Sequence, residues 1–193
     1  MSIDYLKGMA WSIWTRDERF FCSVLYSYAI SDPKDFAEWI IENAGLQISS
    51  NSDWDIGFEV CFYRDYLWHQ KKSAKQLKFP FKRTFDLCLF SGKAIIIIEA
   101  KVCEGFKTKQ NDEFTEDRKK LNLLPGLENI DVQIVALASS KYFDNCRPST
   151  LDIFENKKVS WLDIAVKYNN DPLLHQANEM YNQEQGGIFN QNA

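Results

Sequence analysis

The chain is predicted to fold as an α/β domain, a mixed central β-sheet flanked by helices, and three observations carry that prediction. Phe85–Phe90 and Ala94–Ile98 are short apolar runs rich in β-branched and aromatic residues, joined by Ser91-Gly92. Runs of that length and make-up are strands, and a short glycine-containing loop between them makes a hairpin. Ile95–Ile98 offers no polar residue to either face, so that strand must be covered on both sides. Segments before and after the hairpin carry apolar residues at helical spacing, which supplies the covering layers.

The elements follow in order. Residues 1–14 are a lead-in with Trp11 and Trp14. Thr15 to Glu18 opens a helix of about four turns, with Phe20, Phe21, Val24, Leu25 and Tyr28 as its apolar face. Ser31-Asp32-Pro33 starts a second helix that ends before Gly45 and buries Phe36, Trp39 and Ile40, with proline at the first helical position and glycine past the end. Asn51 to Asp53 is a turn, and Ile56 to Leu67 alternates well enough to be read as one strand. The hairpin of Phe85–Phe90 and Ala94–Ile98 comes next. Lys107 to Leu123 is a polar amphipathic helix stopped by Pro125-Gly126. Val132 to Ala138 is a further strand, Ser139-Ser140 a turn, and Leu151 to Phe154 a short helix. Val159 to Val166 fits strand and helix equally, and Asp171-Pro172 starts a last helix that runs to about Tyr181. Residues 183–193 are rich in Gln, Asn and Gly and read as a polar tail on a single domain of residues 1–182.

Composition narrows the function classes. At 45% hydrophobic and 26% charged residues the chain is an ordinary globular protein. No apolar run approaches a membrane span and no signal-peptide pattern opens the sequence. Cys22, Cys61, Cys88, Cys103 and Cys146 are an odd number, widely spread and without a C-x-x-C pair. They suit buried thiols in the cytoplasm rather than a disulfide frame or zinc site. The net charge of −4 does not mark a nucleic-acid binder, so any such role needs a local patch or a metal ion.

The chemistry lies in the hairpin. Asp86 interrupts its first run, and Glu99 and Lys101 close the second. A carboxylate in a buried sheet costs several kcal/mol or more unless it is compensated. Folding the hairpin about Gly92 sets Asp86 opposite or diagonal to Ile98 and Glu99, with cross-strand Cβ atoms roughly 4.5–5.5 Å apart. Two carboxylates so placed can share one cation, and hard oxygen ligands suit Mg²⁺ or Mn²⁺. The Ala100 carbonyl, between Glu99 and Lys101, is a natural third ligand.

Asp86 followed by Glu99-Ala100-Lys101 at the end of an apolar strand resembles the PD-(D/E)XK (restriction-endonuclease-like) nuclease superfamily, although Phe85 stands where that family's name has proline. The resemblance implies a core of helix, three-strand meander, helix and strand. It implies a Mg²⁺- or Mn²⁺-dependent phosphodiester hydrolase acting on nucleic acid, with DNA the expected substrate, that leaves a 5′-phosphate and a 3′-hydroxyl. In that family the matching lysine activates or orients the attacking water and offsets phosphate charge. Relatives often carry an acidic residue on the first helix, a place Glu18 could fill, but Thr15-x-x-Glu18 also fits a helix capping box and is read first as that. Gln110 resembles a polar residue that some relatives place beside the site, and is read in preference as a solvated helix start. Glu59 is a further ligand or, in preference, an outward-facing residue.

From Tyr66 to Phe85 there is no acid, while Lys71, Lys72, Lys75, Lys78, Lys82 and Arg83 are basic and Tyr66, Trp68 and Phe79 interleave. That run is either a solvated face or a phosphate-backbone contact. Many relatives act as homodimers, since cutting both strands takes two sites. The alternative is a catalytically inactive module of the same fold that binds nucleic acid or a protein partner.

Overall fold

A computed structural model of the chain describes residues 17–48, 52–71, 83–108 and 110–181, the Asn111 side chain excepted. Its helices are α1 (Glu18–Ala29), α2 (Pro33–Asn43), α3 (Phe62–His69), α4 (Gln110–Leu121), α5 (Ser140–Asn145), α6 (Trp161–Lys167) and α7 (Pro172–Glu179). Its strands are β1 (Asp55–Val60), β2 (Phe85–Phe90), β3 (Ala94–Ala100), β4 (Asp131–Ala138) and β5 (Lys158–Ser160). They form one mixed sheet in the order β1-β2-β3-β4-β5. β1, β2 and β3 are antiparallel neighbours, whereas β4 and β5 continue parallel to β3. The architecture is therefore α/β, with helices on a mixed sheet.

β3 is the centre because its composition allows nothing else. Ile95, Ile96, Ile97 and Ile98 are all buried. Ile96 and Ile98 face a cluster with Phe21 and Leu25 of α1, Phe36 and Ile40 of α2, Trp161 of α6 and Leu174 of α7. Ile95 and Ile97 face the opposite cluster, with Tyr63 of α3, Phe114 and Leu121 of α4, and Phe154. Burying each such side chain stabilises the fold by roughly 1.5–3 kcal/mol. The Ser91-Gly92 turn is closed by Ser91, whose N–H donates to the Ala94 carbonyl at 2.9 Å.

Several boundaries differ from the sequence reading, each for a local reason. The expected strand Ile56–Leu67 ends at Val60 and α3 takes over. Tyr63 and Leu67, one helical turn apart, both reach the core, so period 3.6 outweighs the strand preference of the aromatic residues. Ser140 begins a helix, α5, instead of closing a turn. The short helix expected at Leu151–Phe154 is a 3₁₀ helix over Asp152–Phe154, preceded by a second one at Pro148–Thr150. The ambiguous stretch 159–166 is both things in succession. β5 ends at Ser160, whose hydroxyl caps α6 while Asp163 reaches back to the Ser160 N–H at 2.9 Å. That reciprocal pair switches the chain from strand to helix.

α2 matches expectation, with Asp32 capping its start and Gly45 at φ +65° past its end. α4 is shorter at both ends than the expected Lys107–Leu123. Among the described residues no helix is long and apolar enough to cross a membrane. The lead-in, Thr15, Asn51 at the start of the expected turn 51–53 and the tail 183–193 lie outside the described residues.

Candidate active site

The carboxyl ends of β1 and β3 and the amino end of β2 meet beside the first turn of α1. In the register Leu87 pairs with Ile98, and one step further the same antiparallel count sets Asp86 against Glu99. Asp86 stands where the ladder stops. Its Oδ2 accepts from the Ala100 N–H at 2.8 Å, taking the place of a strand carbonyl. On the other side of β2 the pairing passes from Phe58↔Leu87 to Val60↔Phe85, and Glu59 between them adopts φ +54°. A left-handed non-glycine residue costs of order 1–3 kcal/mol. The part-exposed Glu59 carboxylate pairs with the exposed Arg19 Nε at 3.2 Å.

Lys101 is fixed at three points. Its N–H donates to the Leu137 carbonyl at 2.8 Å, continuing the β3–β4 ladder. Its carbonyl accepts from Trp161 Nε1 at 2.9 Å. Its ammonium donates to Glu18 Oε2 at 2.6 Å. Burial works against that charge, but Glu18, Asp86 and Glu99 outweigh it and raise the amine above an ordinary lysine. The capping box expected of Glu18 needs Thr15, which lies outside the described residues. Asp17 caps α1 by accepting from the Phe20 N–H, which frees the Glu18 carboxylate to face Lys101. Burial raises the Glu18 carboxyl even though Lys101 pulls it down.

Glu99 is only 6% exposed. Burial first and the Asp86 charge second push its carboxyl up to about 8, against the pull of Arg83 and Lys101. Burial also raises Asp86, against the Ala100 N–H and the charges of Lys101 and Arg83. The Asp86 charge thus disfavours ionisation of Glu99.

Arg83, expected in the basic run, instead points inward. Its Nη2 donates to Glu99 Oε1 at 3.1 Å and its Nε to Asp117 Oδ2 at 2.8 Å. Asp117 is buried, and burial raises its carboxyl against the pull of Arg83. This pair had no place in the sequence reading. One signal was present: Asp117 lies on α4 between Phe114 and Leu121 at helical spacing, on the face that turns to the core. Gln110 is tied elsewhere, its Oε1 accepting from the Lys107 N–H at 2.8 Å. Of the remaining basic residues Lys71 is exposed, and Lys72, Lys75, Lys78 and Lys82 lie outside the described residues.

The site therefore gathers the carboxyls of Glu18, Asp86, Glu99 and Asp117 around the cations of Lys101 and Arg83. Among the described residues no three His, Cys, Asp or Glu side chains are arranged to hold an ion by themselves. A hard cation such as Mg²⁺ commonly takes only one or two carboxylates and completes its shell with water and phosphate oxygens, so the pair at Asp86 and Glu99 fits that chemistry. The fold positions this pair at the carboxyl ends of the parallel strands, where open α/β sheets bind ligands. No protein-family model matches the chain, and no curated protein matches it.

Proposed function

We propose that the protein is a metal-dependent nuclease of the PD-(D/E)XK type, acting on DNA. One observation carries the reading: Asp86 and Glu99 are neighbours at the end of the hairpin, each raised by burial and Glu99 raised further by the Asp86 charge, with the Lys101 amine held at the same end. The order α1, β1 to β3, α4 and β4 supports it, because with α2 inserted before β1 and α3 between β1 and β2 it contains the order that the resemblance implies for the core.

Asp86, Glu99 and the Ala100 carbonyl are the residues that would hold Mg²⁺ or Mn²⁺. When bound, the ion polarises the scissile phosphate and acidifies a water molecule. The protein's own groups do the rest. Glu18 keeps the Lys101 amine charged and in place, and Lys101 orients the attacking water and offsets the negative charge that develops on the phosphate. Trp161 and the β4 ladder hold the Lys101 backbone, so the amine is carried on a rigid support. Cleavage leaves a 5′-phosphate and a 3′-hydroxyl, and a homodimer is the assembly that would cut both strands.

A second reading has one observation in its favour. Arg83 and Lys101 already bind Glu99 and Glu18 within the chain, and a closed ion-pair network of that kind also suits a non-catalytic module that binds nucleic acid or a protein. Incubation with Mn²⁺, supercoiled plasmid and single-stranded DNA, with an RNA arm, separates the two. Wild type is expected to cleave, and Asp86→Ala and Lys101→Ala to lose at least a hundredfold in rate, the scale of a lost charge-stabilising group. Cleavage that survives both substitutions places the activity elsewhere, and no cleavage of any substrate by wild type favours the non-catalytic module.

A further inference from the structure

Arg83 does more than balance charge. Its Nε reaches Asp117 on α4 at 2.8 Å and its Nη2 reaches Glu99 on β3 at 3.1 Å, so one guanidinium ties a helix to the end of the central strand. The same guanidinium lies 4.9 Å from the Phe85 ring centroid and 5.1 Å from that of Phe114. Those two rings limit the directions in which it can tilt. Among the described residues Arg83 is the one hydrogen-bond partner of the Glu99 carboxylate, and it takes Oε1. A glutamate has three rotatable side-chain bonds, and without this contact the Glu99 carboxylate would lose that restraint.

We infer that Arg83, anchored by Asp117, is the positioning residue for Glu99: it fixes the carboxylate through one oxygen and leaves the other for a divalent cation shared with Asp86. The inference rests on the nuclease reading of this site and extends it to two residues outside the Asp86, Glu99, Lys101 pattern. It depends on the shape of the guanidinium, since two nitrogens of one rigid planar group, Nε and Nη2, address two carboxylates at once. A lysine ammonium in the same place keeps the charge and cannot span both. Groups that orient metal ligands in this way typically contribute 10–100-fold to metal affinity.

The test is Mn²⁺ binding by isothermal titration calorimetry, without nucleic acid, on the full chain. Wild type, Arg83→Lys, Asp117→Asn and Glu99→Gln are compared, each with a thermal melt to show that it folds. Arg83→Lys is expected to bind Mn²⁺ about tenfold more weakly despite its unchanged charge. Asp117→Asn is expected to weaken binding as well, although Asp117 is not a proposed ligand. Should Arg83→Lys not melt cooperatively, Asp117→Asn decides, because it keeps both Arg83 and Glu99. Wild-type affinity in a folded Arg83→Lys or Asp117→Asn, with affinity lost in Glu99→Gln, overturns the positioning role and leaves the nuclease reading standing. A wild type that binds no Mn²⁺ overturns both.

Discussion

The Glu99 carboxylate, with its pKa pushed up to about 8 by burial and by Asp86, makes stability depend on pH in an unusual direction. An unfolded glutamate titrates at about 4.3. Between those values the folded chain holds a proton that the unfolded chain has released, so folding is favoured at the lower end and loses stability as pH rises. Asp86, Glu18 and Asp117 are raised too and act in the same sense. Wild type is therefore expected to melt at a lower temperature at pH 8.5 than at pH 5.5. Glu99→Gln should remove part of that slope, on the order of a few kcal/mol at the alkaline end. Mn²⁺ should raise the wild-type melting temperature at pH 8.5 and leave that of Glu99→Gln unchanged, since binding to the native state alone stabilises it. Equal pH slopes for the two proteins in differential scanning fluorimetry would contradict the assignment. Asp86, Glu99 and Lys101 could be read from sequence because charges inside an apolar hairpin are conspicuous. Arg83 and Asp117 are 34 residues apart, and only the packing of α4 on the sheet brings them together.

Among the elements, the segment after β3 is held against α5. Tyr142 of α5 clasps it: its hydroxyl accepts from the Phe106 N–H at 3.0 Å, and its ring packs beside Gly105. A Cβ on Gly105 would lie 2.1 Å from Tyr142 Cε2, far inside contact distance. Gly105→Ala should therefore displace the ring and destabilise the fold by about 1–3 kcal/mol, the usual cost of overpacking. Chemical denaturation with urea measures it, and an unchanged midpoint would show that the clasp is not tight. Sequence reasoning did not find α5, because six residues starting at a Ser-Ser pair carry no apolar period long enough to recognise. It missed α3 for the opposite reason: Phe62, Tyr63, Tyr66 and Leu67 suit a strand by type and a helix by spacing. The capping box at Ser160 and Asp163 was present in the sequence and marks the end of β5 in hindsight.

For the whole molecule, the central layer was legible because four consecutive isoleucines leave a strand no choice but full burial, and the helices before and after it must then cover its two faces. The hairpin fixes where the chain turns, the parallel pairing of β4 with β3 follows from the α4 crossover, and that of β5 with β4 from the connection through α5 and the 3₁₀ turns. What the pattern did not disclose is which helices meet the open end of the sheet. That depends on contacts such as Lys101 with Glu18, 83 residues apart. The nuclease account comes down to a divalent ion held at that end between β2 and β3. Crystals grown with Mn²⁺ and measured at a wavelength where manganese scatters anomalously test it most directly. The account predicts an anomalous peak about 2.0–2.2 Å from carboxylate oxygens of both Asp86 and Glu99, lost in Asp86→Ala. A map with no peak there, or with manganese bound only at other carboxylates, would contradict it.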